Sequence, residues 1–197
     1  LISKKKKKFN ELDKNSIVGT SSFRREFQLK KIRNDLTYKL IRGNVDTRIK
    51  KINEKFYDAI ILSLAGINSL NLKDNISQIF SVNEIIPSAG QGVVALQCKK
   101  DDNKIIKLLD KINNKKTFNC VQAERNVLKV LEGDCETAVG AISTLNDQKI
   151  TLEAELFSLD GTKRFYYKKT KDINYASDLG LEVGEFLKKE SKGLYKK

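Results

Sequence analysis

The chain has 197 residues, of which 40% are hydrophobic, so it can build one or two domains with a hydrophobic core. It contains no histidine, which excludes histidine-based acid–base catalysis and histidine-ligated metal sites. The 38 Lys and Arg residues against 25 Asp and Glu give a net charge of +13, which favours anionic partners, nucleic acid among them.

The beginning of the chain predicts a lead-in, a strand and a helix. Residues 4–13 are rich in lysine and predict a charged, mobile segment. Ile17 and Val18 then form a short strand, and Ser22 can cap a helix that continues to about residue 34.

The same alternation of strand and helix continues along the first half. Residues 36–41 predict a second strand, and Asn44 can cap a helix that continues to about residue 55. The apolar run 58–64 is typical of a strand that is buried on both faces, as in a parallel sheet. This alternation predicts a doubly wound α/β domain, in which ligands bind beyond the carboxyl ends of the strands.

A change of region follows at Pro87, the only proline, and at the glycines of the 88–92 loop. Residues 93–98 predict a short apolar strand. Two helices follow, each with its apolar residues on one face: Ile105, Leu108, Leu109 and Ile112 in the first, and Cys120, Ala123, Val127 and Leu131 in the second.

After Gly133 the hydrophobic period changes from that of a helix to that of a strand. Residues 138–145 and 150–156 predict two strands joined by a turn, and Asp160-Gly161 predicts the turn into a third strand. A last helix has apolar residues on one face between 176 and 187. The order predicts a small α+β domain with a three-stranded antiparallel sheet between two helices.

Two strand-to-helix turns carry groups that are suited to bind anions. Residues 19–25 read GTSSFRR and residues 41–48 read IRGNVDTR. A helix N-terminus offers unpaired N–H groups and a positive dipole, and each arginine can bind a carboxylate through two bonds. The turns therefore predict a pocket for a molecule with several carboxylates or phosphates. The alternative is that these arginines pair with nearby acids such as Glu26, Asp35 and Asp46.

Cys135 is the cysteine best placed for chemistry, because it follows a helix end and lies on a predicted loop. Cys120 lies on the apolar stripe of a helix and Cys98 in an apolar strand, so both are interpreted as buried small side chains. The three are far apart without a CxxC motif, which argues against a zinc site or a disulfide framework.

These motifs together resemble porphobilinogen deaminase, also called hydroxymethylbilane synthase. They are GTSSFRR, IRGNVDTR, SAGQG at 88–92 and EGDC at 132–135, in this order, and the resemblance extends from about residue 16 to the end. It implies an enzyme of tetrapyrrole (haem) biosynthesis. Such an enzyme condenses four porphobilinogen molecules to hydroxymethylbilane, with release of ammonia, on a covalently attached dipyrromethane primer.

The resemblance also implies a domain organisation. Residues 1–87 would form an α/β domain that is similar to half of a periplasmic binding protein, with 1–15 as its lead-in. Residues 88–113 would form a hinge and a remnant of another domain. Residues 114–197 would form the α+β domain that bears the cofactor. The complete enzyme would be a monomer in the cytoplasm or the plastid stroma, with no nucleic-acid or membrane partner.

The resemblance also implies roles for individual residues. Cys135 matches the cysteine that carries dipyrromethane through a thioether, and no metal site is implied. The residues that match the carboxylate-binding groups of the cofactor site are Arg24, Arg25, Thr20, Ser21 and Ser22. Those that match substrate-binding groups are Arg42, Arg48 and Gln91. Asp134 and Ser69 depart from the family pattern, which has a glycine and an arginine there, and Asp134 is expected to slow the reaction of the neighbouring thiol.

The catalytic aspartate of the family lies in a Lys-Asp-hydrophobic-Pro motif, which does not occur in this sequence. The chain alone is therefore expected to be inactive and to need the missing N-terminal domain as a partner. The residues by themselves leave two other functions open. One is a non-enzymatic module, like a periplasmic binding protein, for a small carboxylate. The other is a nucleic-acid binder driven by charge.

Overall fold

A computed structural model describes residues 1–134 and 136–196, which divide into two compact units. The first unit consists of Leu1–Ile85 with short pieces at 136–138 and 159–162. The second consists of Ile86–Asp134, Val139–Ser158 and 163–196. Among the described residues, no helix is long and apolar enough to cross a membrane.

A mixed four-stranded sheet forms the centre of the first unit. Its strands are β1 (Ile2–Ser3), β2 (Ile17–Gly19), β3 (Thr37–Lys39) and β4 (Ala59–Ile60), in the order β1-β4-β2-β3. Strand β2 pairs in parallel with both β3 and β4, whereas β1 is antiparallel to β4. The predicted α/β alternation is confirmed in this mixed form.

Three helices belong to the first unit: α1 (Phe23–Ile32), α2 (Val45–Asn53) and α3 (Leu64–Ser69). The first two begin where the sequence predicts. Ser22 caps α1 by accepting a bond from the Arg25 N–H at 3.4 Å, and Asn44 caps α2 by accepting one from the Thr47 N–H at 2.9 Å. Each bond satisfies an N–H group that has no partner inside its helix.

The N-terminal segment differs from the mobile lead-in that the sequence predicts. It contains two short 3₁₀ helices, Lys4–Lys6 and Phe9–Glu11. Phe9 and Leu12 are buried in the core of the first unit, and Lys4 forms an ion pair with Asp58 at 3.0 Å. The many lysines of this segment led to the prediction that it is mobile. The burial of Phe9 and Leu12 instead fixes the position of the segment.

The second unit contains a three-stranded antiparallel sheet with its two longest helices packed on one face. Its strands are β5 (Val139–Asn146), β6 (Lys149–Phe157) and β7 (Arg164–Asp172), in chain order. Its helices are α4 (Asn103–Ile112), α5 (Lys115–Leu131) and α6 (Ala176–Ser191). Buried residues of α5 and α6 share one core with β5 and β6, which confirms the predicted α+β arrangement.

The stretch 93–112 exposes apolar residues to solvent. Residues 93–98 form no strand, contrary to the prediction, because no strand of the described chain pairs with them. Val94 is 86% exposed. Helix α4 forms as predicted, yet none of its residues is buried and Ile112 is 68% exposed. Exposed apolar surfaces usually mark a contact with a partner.

Close packing of α6 against α5 gives a stability prediction. A Cβ atom placed on Gly180 would lie 2.2 Å from the carbonyl oxygen of Ala123. Gly180→Ala is therefore expected to lower the free energy of unfolding by about 1–3 kcal/mol, because the two helices must move apart. Urea unfolding followed by circular dichroism measures this. Glu190→Ala, at an exposed position of α6, is the control and should change it by less than about 0.5 kcal/mol. Equal stability of Gly180→Ala and the unmodified chain would contradict the close packing.

Candidate functional site

The two arginine turns lie at one edge of the first sheet because β2 and β3 are parallel neighbours. Gly19 is in register with Lys39, and the Thr20 N–H donates to the carbonyl of Lys39 at 3.1 Å. The chain then passes from β2 to α1 and from β3 to α2. The carboxyl ends of both strands therefore open at the same edge, as expected for a ligand site in an α/β sheet.

Three hydroxyl residues of the first turn have different surroundings. Thr20 is only 2% exposed, and its Oγ1 accepts a bond from the Ser22 N–H at 3.2 Å. The hydroxyl of Ser22 caps α1. Ser21 is the exposed residue of the three. Thr20 and Ser22 therefore shape the turn, whereas the hydroxyl of Ser21 is accessible to a ligand.

Arg48 connects the two turns. Its Nε donates to the carbonyl of Gly43 at 2.8 Å, and its Nη1 donates to Oγ of Ser21 at 3.2 Å. The second turn is also held by Lys51, whose Nζ donates to the carbonyl of Arg42 at 2.9 Å. Arg48 is half-buried, so part of its guanidinium surface remains accessible.

Arg25 places a second positive charge near Arg48. Its Nη1 donates to the carbonyl of Ile61, just after β4, at 3.4 Å. Burial lowers the pKa of the Arg25 guanidinium, and the positive charge of Arg48 lowers it further. A bound anion would favour the charged form of Arg25. Ser21, Arg25 and Arg48 are referred to below as the arginine cluster.

Two of the three acids considered above as partners of the arginines are paired with other residues. Glu26 forms an ion pair with Lys30 at 2.6 Å, and Asp35 forms one with Arg33 at 2.7 Å. In the part of the chain that the structure describes, no acidic side chain forms an ion pair with Arg25 or Arg48. The alternative that these two arginines are ordinary surface ion pairs is therefore not supported.

Arg24 and Arg42 differ from the cluster in their placement. Arg24 shares the buried face of α1 with Phe27 and Gln28, three and four residues later, and is 6% exposed. Arg42 is exposed on the second turn. Of the four predicted arginines, the structure thus places Arg48 where its charge acts on Arg25.

Gln91 belongs to the second unit, where it lies on an exposed loop. Gly90 and Gly92 have φ angles of +70° and +85°, which glycine adopts without strain. The Gln91 N–H donates to the carbonyl of Ser88 at 3.0 Å, and the hydroxyl of Ser88 donates to Oε1 of Gln91 at 3.1 Å. The loop at 88–92 therefore has a defined turn geometry, with Gln91 on its surface.

An open cavity of about 610 Å³ lies beside this loop within the second unit, and Glu124 is part of its lining. Glu124 is 7% exposed, and burial raises the pKa of its carboxyl group, whereas backbone N–H groups of Gly90 and Ser143 oppose this shift. The sequence analysis did not identify Glu124. The available signal was an acid between Ala123 and Val127, on the apolar stripe of α5.

Of the three cysteines, two lie within the residues that the structure describes. Cys135 lies outside the described residues. Cys98 and Cys120 are free thiols that are half-buried rather than fully buried as predicted, and burial raises the pKa of Cys120, which favours its unreactive thiol form. Within 1–134 and 136–196, no group of three or more His, Cys, Asp or Glu residues is placed to hold a metal ion.

Two protein-family models match the chain. The one described as porphobilinogen deaminase, dipyromethane cofactor binding domain, matches residues 1–107. The one described as porphobilinogen deaminase, C-terminal domain, matches residues 118–189. The first match alone covers more than half of the chain.

Porphobilinogen deaminases of several bacteria are similar in sequence. The protein of Desulforamulus reducens is 39% identical over 187 residues, which are 95% of this chain and 60% of that protein. That of Staphylococcus carnosus is 37% identical over 191 residues, covering 96% and 61%. That of Brevibacillus brevis is 38% identical over 194 residues, covering 98% and 62%. The chain thus spans about 60% of the length of these curated relatives. By these matches the chain belongs to the porphobilinogen deaminase family.

Proposed function

We propose that this chain is part of an enzyme that condenses four porphobilinogen molecules to hydroxymethylbilane, with release of ammonia at each step. Family membership supports this activity. The structural observation that carries the proposal is the arginine cluster, in which Arg48 contacts the exposed Ser21 hydroxyl and neither Arg25 nor Arg48 forms an ion pair with the described acids. Porphobilinogen carries acetate and propionate groups, and each condensation adds more of them.

The arginine cluster would act by orienting carboxylates. A guanidinium group binds a carboxylate through two parallel bonds, which fixes both position and direction. Holding two reacting pyrroles in a fixed geometry avoids most of the entropy cost of bringing them together. In this proposal Arg24 and Arg25 serve the cofactor with Thr20, Ser21 and Ser22, whereas Arg42, Arg48 and Gln91 serve the substrate.

The cofactor proposed for this chain is dipyrromethane, attached through a thioether to Cys135. When bound, it supplies the terminal pyrrole to which the first porphobilinogen is joined. The described residues fit a group with several carboxylates, because Arg48 and Ser21 are hydrogen-bonded across the two turns and the positive charge of Arg48, with burial, lowers the pKa of Arg25. Thr20 and Ser22 would keep the turn in shape, and Ser21 would donate directly.

We also propose the domain organisation that the family suggests. Residues 1–87 would correspond to half of a domain like that of a periplasmic binding protein, 88–113 to a hinge with a remnant of a further domain, and 114–197 to the cofactor-bearing domain. The catalytic aspartate would come from an N-terminal domain outside these residues. Family membership does not favour a carboxylate-binding module without activity or a nucleic-acid binder.

The first prediction of this proposal concerns the cysteines. Peptide mapping of the full-length holoenzyme is expected to place the dipyrromethane adduct on Cys135, because that thiol matches the attachment site of the family. Cys135→Ala should lack the mass of the adduct. Cys120→Ala is the matched control and should retain it. An adduct on Cys98 or Cys120 would overturn the assignment.

The second prediction separates the arginines by role. In the full-length enzyme, Arg25→Leu is expected to purify without cofactor, whereas Arg48→Leu should keep the cofactor and turn over poorly. Each loses a charge-assisted contact of about 1.5–3 kcal/mol, which is roughly 10- to 100-fold in affinity. Intact mass and the rate of porphobilinogen consumption are the two measurements.

Lys50→Leu is the control for both arginine variants, because it removes an exposed cation from α2 outside the arginine cluster. It should keep the cofactor and the normal rate. If Arg25→Leu and Arg48→Leu behave like Lys50→Leu, the site is misassigned.

The third prediction is that this 197-residue chain has no deaminase activity by itself. Catalytic groups that act as a unit lose most of their effect when one is missing. The chain is incubated with porphobilinogen, and uroporphyrin is measured after oxidation, before and after addition of the N-terminal segment of the family. Product only after the addition is the expected result. Product from the chain alone would show that the catalytic acid lies within these residues.

A further inference from the structure

Glu124 bridges two distant backbone segments. Its Oε2 accepts a bond from the Gly90 N–H at 2.7 Å, and its Oε1 accepts one from the Ser143 N–H at 2.7 Å. Gly90 lies 34 residues before Glu124 in the sequence, and Ser143, in β5, lies 19 residues after it. Both carboxylate oxygens are thus used to hold the 88–92 loop and β5 to helix α5.

A carboxylate at this position is costly. Glu124 is 7% exposed and lies on a helix face whose other buried residues are Ala123, Val127 and Leu131. Burial of a charged group costs free energy unless hydrogen bonds compensate for it, and an apolar residue there would not incur this cost. Bonds from N–H groups to a carboxylate are among the stronger hydrogen bonds in proteins. The bridge to Gly90 and Ser143 is the compensation that the structure provides.

Two hydrogen bonds fix the segment that precedes Gln91 in the chain. The Ala141 N–H donates to the carbonyl of Pro87 at 2.9 Å, so the segment runs beside β5. Three residues later, the Gly90 N–H reaches Glu124. Gln91 itself is exposed and is the next residue in the chain. Bonds to Ser88 hold Gln91 within the loop, and the bond between Gly90 and Glu124 holds that loop, and Gln91 with it, against α5.

We propose that Glu124 is a positioning residue, which holds the 88–92 loop against α5 and β5 and so orients Gln91 toward the substrate. The substrate role of Gln91 rests on the proposed function, whereas the holding of the loop does not. The two parts are therefore tested by separate measurements.

Amide hydrogen exchange of the 197-residue chain, followed by NMR, tests the holding of the loop. In Glu124→Gln, one oxygen is replaced by an amino group, so one of the two N–H groups loses its acceptor. In Glu124→Asp, the charge is kept but the side chain is too short to reach both. We expect exchange at Gly90 or Ser143 to become about tenfold faster, or more, in each variant. Amides between β6 and β7 should be unchanged.

Glu185→Gln, at an exposed position of α6, is the matched control and should leave exchange at Gly90 and Ser143 unchanged. If these two amides exchange in both Glu124 variants as in the unmodified chain, the holding role is overturned. If Glu124→Gln fails to fold, Glu124→Asp alone provides the comparison.

Kinetics of the full-length enzyme test the positioning of Gln91. Glu124→Asp is expected to raise KM for porphobilinogen about tenfold while intact mass shows a normal cofactor content, because a displaced Gln91 weakens substrate binding. Unchanged KM and kcat, in a variant whose loop has lost protection, would overturn the positioning role. An unmodified full-length protein that is inactive would instead contradict the proposed function, and the exchange result would stand.

Discussion

The parallel pairing of β2 with β3 and β4 is the constraint on which the candidate site depends. It places the ends of neighbouring strands at one edge, so that the turns leading to α1 and α2 lie side by side. Strand β2 ends at Gly19, where a larger residue would not fit, because a Cβ atom there would lie 2.9 Å from the ring of Tyr57. Without this register, Arg48 could not reach from the second turn to Ser21 in the first.

The charged side chains of the two units differ in whether other groups of the chain already bind them. In the first unit, burial and the positive charge of Arg48 lower the pKa of the Arg25 guanidinium, and neither arginine forms an ion pair with the described acids. Such an arrangement costs free energy until an anion binds, which is typical of a ligand site. In the second unit, Glu124 is buried and both its oxygens accept backbone N–H groups. The carboxylate of Glu124 therefore stabilises the fold, because both of its oxygens already accept hydrogen bonds from the chain.

In the region 93–112, the spacing of apolar residues predicts the helix α4 but does not predict that its apolar face is buried. Asp102 caps α4 by accepting a bond from the Ile105 N–H at 3.0 Å, and the apolar spacing is that of a helix, so the helix forms. Its apolar face is nevertheless exposed. Residues 93–98 do not form a strand, because a strand needs a neighbour for its N–H and C=O groups, and the described chain supplies none. An α-helix, by contrast, makes its bonds within its own segment.

Local interactions explain what the sequence by itself determined. The caps at Ser22 and Asn44, the helices α1, α2, α4, α5 and α6 and the two hairpins of the second sheet depend on residues within a few positions of each other, and all were predictable, whereas α3 was not predicted. The tertiary structure alone decided which distant groups meet. It joined Arg48 to Ser21, placed Arg24 on the buried face of α1, buried Phe9 and brought Gly90 and Ser143 to Glu124. These contacts depend on strand register and helix packing between segments far apart in the chain, which no short stretch of sequence encodes.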